Sequence, residues 1–292
     1  MRTNFEWKLY YASLDRAANE GEQIAKTYEF SEPPVDPFEI VETERELIHL
    51  EGDDFGNAFD GRIKYVGPRF LICLNTKYNR WPHTGKHHTK VIFTLGHELG
   101  HFFLEKHRDY LVRSKNHHDS FTEFTADPLV ERQADMFSSG LLMPGYLLRP
   151  YVNRKNFVTL DEFHDIRTLF KVSLTGMLVR WTQLTDFPIA TIAIKNGTIR
   201  YGWASKSLRD RGAFKIRKGQ ACRGKDVNEF IAKDSSLEKY RNSVGAGAIY
   251  NWIDFDKVRL STQEFYFAIP HTKTVWGLAF ADESELVYSD RD

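Results

Sequence analysis

Cysteine is almost missing from this chain: 292 residues contain two, Cys73 and Cys222. Two cysteines make at most one bridge, and they exclude every zinc site built on several thiolates. Cys73 lies in the apolar run FLICL, where a thiol behaves as a small buried hydrophobe, and both are read as free thiols of a reducing cytoplasm. Any metal site must therefore come from His, Asp and Glu. Net charge is also lacking, since 40 Lys and Arg balance 40 Asp and Glu. No long apolar run is present. The longest uncharged apolar stretch, Met136 to Leu148, is interrupted by Gly140, Pro144 and Gly145 and is too short to cross a bilayer. The first fifteen residues carry charges throughout, with no apolar core before a small-residue cleavage site, so no signal peptide is expected. A soluble, cytoplasmic, globular protein is expected, with 41% apolar residues to build its core.

What is present is unevenly spread. Eight of the eleven histidines (His83, His87, His88, His97, His101, His107, His117 and His118) fall in one window. From Lys195 to Lys225 there are ten Lys or Arg against the single acid Asp210. The periodicity predicts a helix from Ser13 to Tyr28, capped by Ser13, and short strands at 46–50, 62–66 and 70–74 punctuated by Gly61 and Gly67-Pro68. A central buried helix is expected from Thr89 to Glu105, and a second helix from Leu129 to Leu142, with a polar loop between them. Thr159 and Glu162 form a capping box for a helix at 160–170, and a turn at Val172-Ser173 opens another at 174–184. After Phe187 the texture becomes strand-like: FPIATIAI, a turn at Asn196-Gly197, TIRYGWA, AIYNWI, then a hairpin of EFYFAI and VWGLAF. The expected class is α+β, in three parts: a zincin-like domain at 1–150 with a small sheet and a central HExxH helix, a helix-turn-helix-like region at 151–185, and a β-rich α+β domain at 186–292.

The chemistry is concentrated in His97-Glu98-Leu99-Gly100-His101. Two histidines four apart on a helix project from one face and can close on one metal ion. Glu98, about 100° further round the helix, can reach a water without being a ligand, which is what a general base needs. A catalytic zinc takes a third protein ligand and keeps one position open. Glu131 is the stronger candidate, because Asp135 shares its helix face and can accept a hydrogen bond from a ligand histidine. His107 is the rival, standing where the metzincin pattern has its third histidine. That pattern needs a glycine where this chain has Leu104, and a leucine there favours helix continuation, carrying His107 away from the metal. Tyr110, His117 and His118, between the two motifs, are candidate oxyanion donors. His83, His87 and His88 are expected at the rim.

HELGHFFLEKH, followed by ERQADMFSSGLLMP, resembles the ImmA/IrrE family of metallopeptidases, which pairs HExxH with a downstream ExxA(N/D)xFAxxLLMP element. The likeness extends more weakly through the helix at 13–28, PPVDP, ICLN and FKVSLTGMLVRWTQL, so that it covers roughly residues 12–185. Ser138-Ser139 depart from the family's alanine-like residues, a conservative change. The resemblance implies His97, His101 and Glu131 as ligands of zinc, with manganese as the other metal to consider, Glu98 as base and Asp135 as partner of a ligand histidine. It also implies site-specific cleavage of a regulatory protein, such as a helix-turn-helix transcriptional repressor, in a stress or mobile-element response. Some members carry a GAF-like C-terminal sensor, and the strands after 187 are a candidate for one.

A different class of function is also open, a nucleic-acid or nucleotide-binding regulator whose peptidase domain is latent. Tyr201, Trp203 and Phe214 are interleaved with Arg200, Lys206, Arg209, Arg211, Lys215, Arg217 and Lys218, a mixture suited to single strands. The bland alternative is a solvated sheet face. The second helix of the 159–184 pair offers only Arg180 and Gln183 as polar readers, so it looks built for packing rather than for a major groove.

Overall fold

The computed structural model describes residues 3–83, 85–114, 117–120, 129–152, 159–233, 237–254, 260–282 and 284. The chain is α+β, as its texture predicts, and divides into two compact units. One comprises residues 9–148 and 164–177; the other comprises 1–8, 149–163 and 178–292.

The first unit is built around helix α3 (Thr89–Phe103), which is buried along most of its length because its sequence is apolar on both sides of the polar residues it carries. Strands β1 (Ile48–Asp53), β2 (Gly61–Val66), β3 (Arg69–Asn75) and β4 (His117–Ser120) form a sheet in the order β1-β3-β2-β4. β1 pairs parallel to β3, while β2 pairs antiparallel to both β3 and β4. Helix α1 (Asn4–Thr27) begins well before the predicted Ser13, whose hydroxyl instead donates to the carbonyl of Tyr10 within the helix. Helix α2 (Pro37–Thr43) follows an Asp36 cap.

Helix α5 (Leu129–Leu142) lies against α3, and the contact is set by small residues. A side chain at Gly100 would stand 3.2 Å from the Cα of Ala134, and one at Gly96 would stand 3.3 Å from the Cβ of Ser138. Ser138, fully buried, donates to the carbonyl of Phe93 at 2.9 Å and so ties the two helices together. On its other side α5 meets α1, where Gly140 leaves no space beyond the backbone of Ala18.

The predicted helix at 89–105 ends early. Leu104 takes an extended conformation (φ −66°, ψ 110°), and a separate helix α4 (Glu105–Ser114) starts at once. The expectation of helix continuation through Leu104 is therefore corrected. Its side chain is buried in the corner, and burial of a leucine outweighs the propensity that favours continuing the helix. The loop expected between the motifs contains β4.

Helices α6 (Gly145–Val152), α7 (Leu160–Leu169) and α8 (Leu174–Leu184) follow, and Thr159 and Glu162 make the predicted capping box, with the Glu162 amide 3.2 Å from Thr159 Oγ1 and the Thr159 amide 2.8 Å from Glu162 Oε2. In the second unit β5 (Ile189–Lys195), β6 (Thr198–Ala204), β8 (Arg241–Ala248), β10 (Ser261–Ile269) and β11 (Thr274–Ala281) form an antiparallel sheet, ordered β6-β5-β11-β10-β8. Helices α9 (Lys206–Asp210) and α10 (Lys225–Ala232), with the two-stranded β7 (Lys215–Ile216) and β9 (Ile253–Asp254), complete the unit. AIYNWI is not one strand as predicted: β8 ends at Ala248, a 3-10 turn covers Ile249–Asn251, and β9 begins at Ile253. Trp252 is buried in that turn and donates to the buried Glu264 carboxylate at 2.7 Å, a tertiary bond that decides the local geometry. Cys73 and Cys222 are not in a disulfide.

Candidate metal centre

α3 presents His97 and His101 on one face, and α5 brings Glu131 opposite them. His97 Nε2 lies 3.1 Å from His101 Nε2 and 3.4 Å from Glu131 Oε2, and His101 Nε2 lies 3.5 Å from Glu131 Oε1. Four-coordinate zinc with bonds of about 2.0–2.1 Å separates its donor atoms by roughly 3.4 Å. The three spacings cluster around that value, and His97, His101 and Glu131 are together able to hold one ion. The donor set of two imidazoles and a carboxylate also matches zinc chemistry.

Charge supports the same fit. His97 Nδ1 is 3.0 Å from Asp135 Oδ1, so its N–H donates there and its Nε2 lone pair faces the site. Burial alone would pull the His97 pKa down, but the hydrogen bonds to Asp135 and Glu131 and the charge of Glu98 outweigh it and raise the pKa to about 10, so that without an ion the Nε2 lone pair takes a proton, in the place a metal would occupy. The pocket holds an excess of negative charge, which a divalent cation balances.

Glu98 is fully buried beside these residues. Its carboxylate reaches the start of β2, where a Cβ at Gly61 would clash with Glu98 Oε1 and stand 2.6 Å from Thr94 Cγ2. Gly61, read from sequence only as a turn residue, thus makes room for Glu98. Nothing in the one-dimensional pattern flagged it, because the contact joins residues 37 positions apart.

His107 is not carried away from His101. The break at Leu104 turns α4 back, and His107 Nδ1 comes to 3.2 Å from His101 Nδ1, with His107 Nε2 3.1 Å from Gln133 Oε1. It faces the nitrogen of His101 turned away from Glu131 and stands outside the group able to hold the ion. Among the other candidates, Tyr110 is on α4 and 62% exposed. His117 and His118 lie in the backbone of β4, paired with Lys64 and Ile63; their side chains are outside the described residues. His83, His87 and His88 are half-buried; His88 caps α3 by accepting from the Lys90 amide at 3.1 Å, and His87 stacks on Phe38 with ring centroids 4.2 Å apart.

The basic stretch is dispersed by the fold. Trp203, Tyr201 and Phe214 are buried and present no open stacking face. Arg209 is buried with its guanidinium over Trp203, at 5.7 Å from the ring. Lys215 and Arg217 both pair with Asp254, at 2.7 and 2.8 Å. Arg200 and Arg211 are exposed. Arg180 is buried and donates to Gln183 at 3.0 Å, as expected of a packing helix.

Residues 83–182 match the family model of the IrrE N-terminal-like domain, of the M78 peptidases. No curated protein sequence matches the chain. Among solved structures, a Mycobacterium tuberculosis transcriptional regulator is similar with a TM-score of 0.58 and 12% identity, over 100% of this chain and 85% of that one. At that identity the likeness is one of fold.

Proposed function

We propose that this chain, which belongs to the ImmA/IrrE family through its IrrE N-terminal-like domain, is a metal-dependent endopeptidase that acts on a regulatory protein. The observation that carries this reading is the convergence of His97, His101 and Glu131 at zinc-like spacings beside the buried Glu98. His97, His101 and Glu131 would hold the metal ion, which would supply Lewis acidity toward a peptide carbonyl and make water a stronger acid. Asp135 fixes the tautomer and ring plane of His97. Glu98 takes a proton from the attacking water and returns it to the leaving amine. Its carboxylate is buried and lies against Gly61.

A regulatory rather than digestive role is what the resemblance to the ImmA/IrrE family implies, and a helix-turn-helix repressor is the substrate class proposed. The β-rich C-terminal region, 186–292, is proposed as the sensor of the activating signal. The test is cleavage of candidate repressors encoded near this gene, by the zinc-loaded protein and by Glu98→Gln. Cleavage by the wild type with a loss of at least 1,000-fold in Glu98→Gln is expected, the scale of losing a general base and its water positioning together. Cleavage that persists unchanged in Glu98→Gln contradicts the reading.

A further inference from the structure

A histidine that binds a metal through one nitrogen needs a partner for the other, or its ring is free to turn. For His97 that partner is Asp135. His101 is served differently. Its Nε2 faces His97 and Glu131, and its Nδ1 faces another imidazole, that of His107, at 3.2 Å.

When two ring nitrogens face one another at hydrogen-bond distance, one carries the proton and the other the lone pair. Gln133 decides which is which. Its side-chain oxygen, 3.1 Å from His107 Nε2, can only accept, so the proton of neutral His107 is on Nε2 and its Nδ1 is an acceptor. His101 must then donate from Nδ1, which leaves the lone pair of its Nε2 pointing at the site. His107 is 6% exposed, in the first turn of α4, and the corner at Leu104 is what returns it to His101.

We propose that His107, itself set by Gln133, is the positioning residue that fixes the tautomer and orientation of the metal ligand His101. The inference rests on the metal centre proposed above. The two ligand histidines are thereby unequal, one backed by a carboxylate and the other by a neutral ring, and the second arrangement adds no further negative charge to a pocket that already contains Glu98, Glu131 and Asp135.

The test is zinc affinity of the full-length protein, by competition with a chromophoric chelator, together with the visible spectrum of the cobalt-substituted form. His107→Phe keeps a ring but no acceptor, and a 10- to 100-fold weaker zinc affinity with an altered cobalt spectrum is expected. His107→Asn places an amide oxygen where Nδ1 stood and should restore both affinity, to within a few-fold, and spectrum. Gln133→Leu, at a half-buried position, should weaken zinc binding several-fold and guards against a His107→Phe that does not fold. Wild-type affinity and spectrum in His107→Phe or in Gln133→Leu, or an Asn variant no better than Phe, would overturn the proposal. Failure of the underlying metal centre has a separate signature: no zinc bound by the wild type, or zinc uptake indifferent to Glu131→Ala.

Discussion

Gly61 has a conformational freedom that is secondary; what matters is that it has no side chain, because Glu98 occupies the space one would take. A methyl group there must displace Glu98 or the Thr94 methyl from a packed interior. Gly61→Ala is therefore expected to lower peptidase activity at least 10-fold while zinc stays bound, with a stability loss of about 1–3 kcal/mol. Steady-state kinetics beside a zinc assay and a urea melt would check this, and unchanged turnover would contradict the placement of Glu98. At this scale helical periodicity was enough to place His97 with His101, and Glu131 with Asp135, on shared helix faces, because residues four apart lie one above the other. It did not reveal Gly61, Gln133 or the true place of His107, since those depend on a chain reversal and on contacts between distant segments.

The elements were legible where periodicity is long and their ends are chemically marked. α5 and α8 have the predicted limits, and β6 coincides with TIRYGWA. α3 ends two residues early at a corner where a leucine is buried, and short pieces such as α9, α10 and β7 carry too few residues for a period to emerge. The start of α3 is anchored to the loop before β2 by a buried charge cluster that motif reading does not show. Asp60, 4% exposed, pairs with Lys90 at 2.8 Å, accepts from Tyr78 at 2.7 Å, and lies 3.7 Å from Lys77. Burial alone would raise the Asp60 pKa, but the bonds from Lys90 and Tyr78 and the two ammonium charges hold it below the ordinary carboxylate value. A carboxylate with a depressed folded-state pKa stabilises the fold above its unfolded value, and that contribution is lost as pH falls through the folded pKa. Asp60→Asn should cost about 2–3 kcal/mol at pH 7 and progressively less below about pH 4. Urea titrations at both pH values read this directly, and a difference that does not shrink in acid would show that the cluster is not electrostatic in origin.

For the whole molecule, composition and motif together predicted an α+β chain with a zincin-like domain containing a central helix and a small sheet, and a β-rich C-terminal region. The observed α+β class and the family match over 83–182 agree with that reading. No helix among the described residues is long and apolar enough to cross a membrane. The basic run at 195–225 looked like one surface in the sequence, yet the fold distributes it among buried packing, ion pairs to Asp254 and separate exposed positions, because the run passes through β5, β6, α9, β7 and the start of α10. His97, His101 and Glu131 are proposed to hold one metal ion, with Glu98 beside it and not bound to it. Zinc stoichiometry by equilibrium dialysis and elemental analysis of the wild type, Glu131→Ala and Glu98→Gln tests it most directly. One zinc per chain in the wild type and in Glu98→Gln, with loss of stoichiometric binding in Glu131→Ala, is the expected result; a wild type that binds no zinc, or a Glu131→Ala that binds it as the wild type does, would contradict the account.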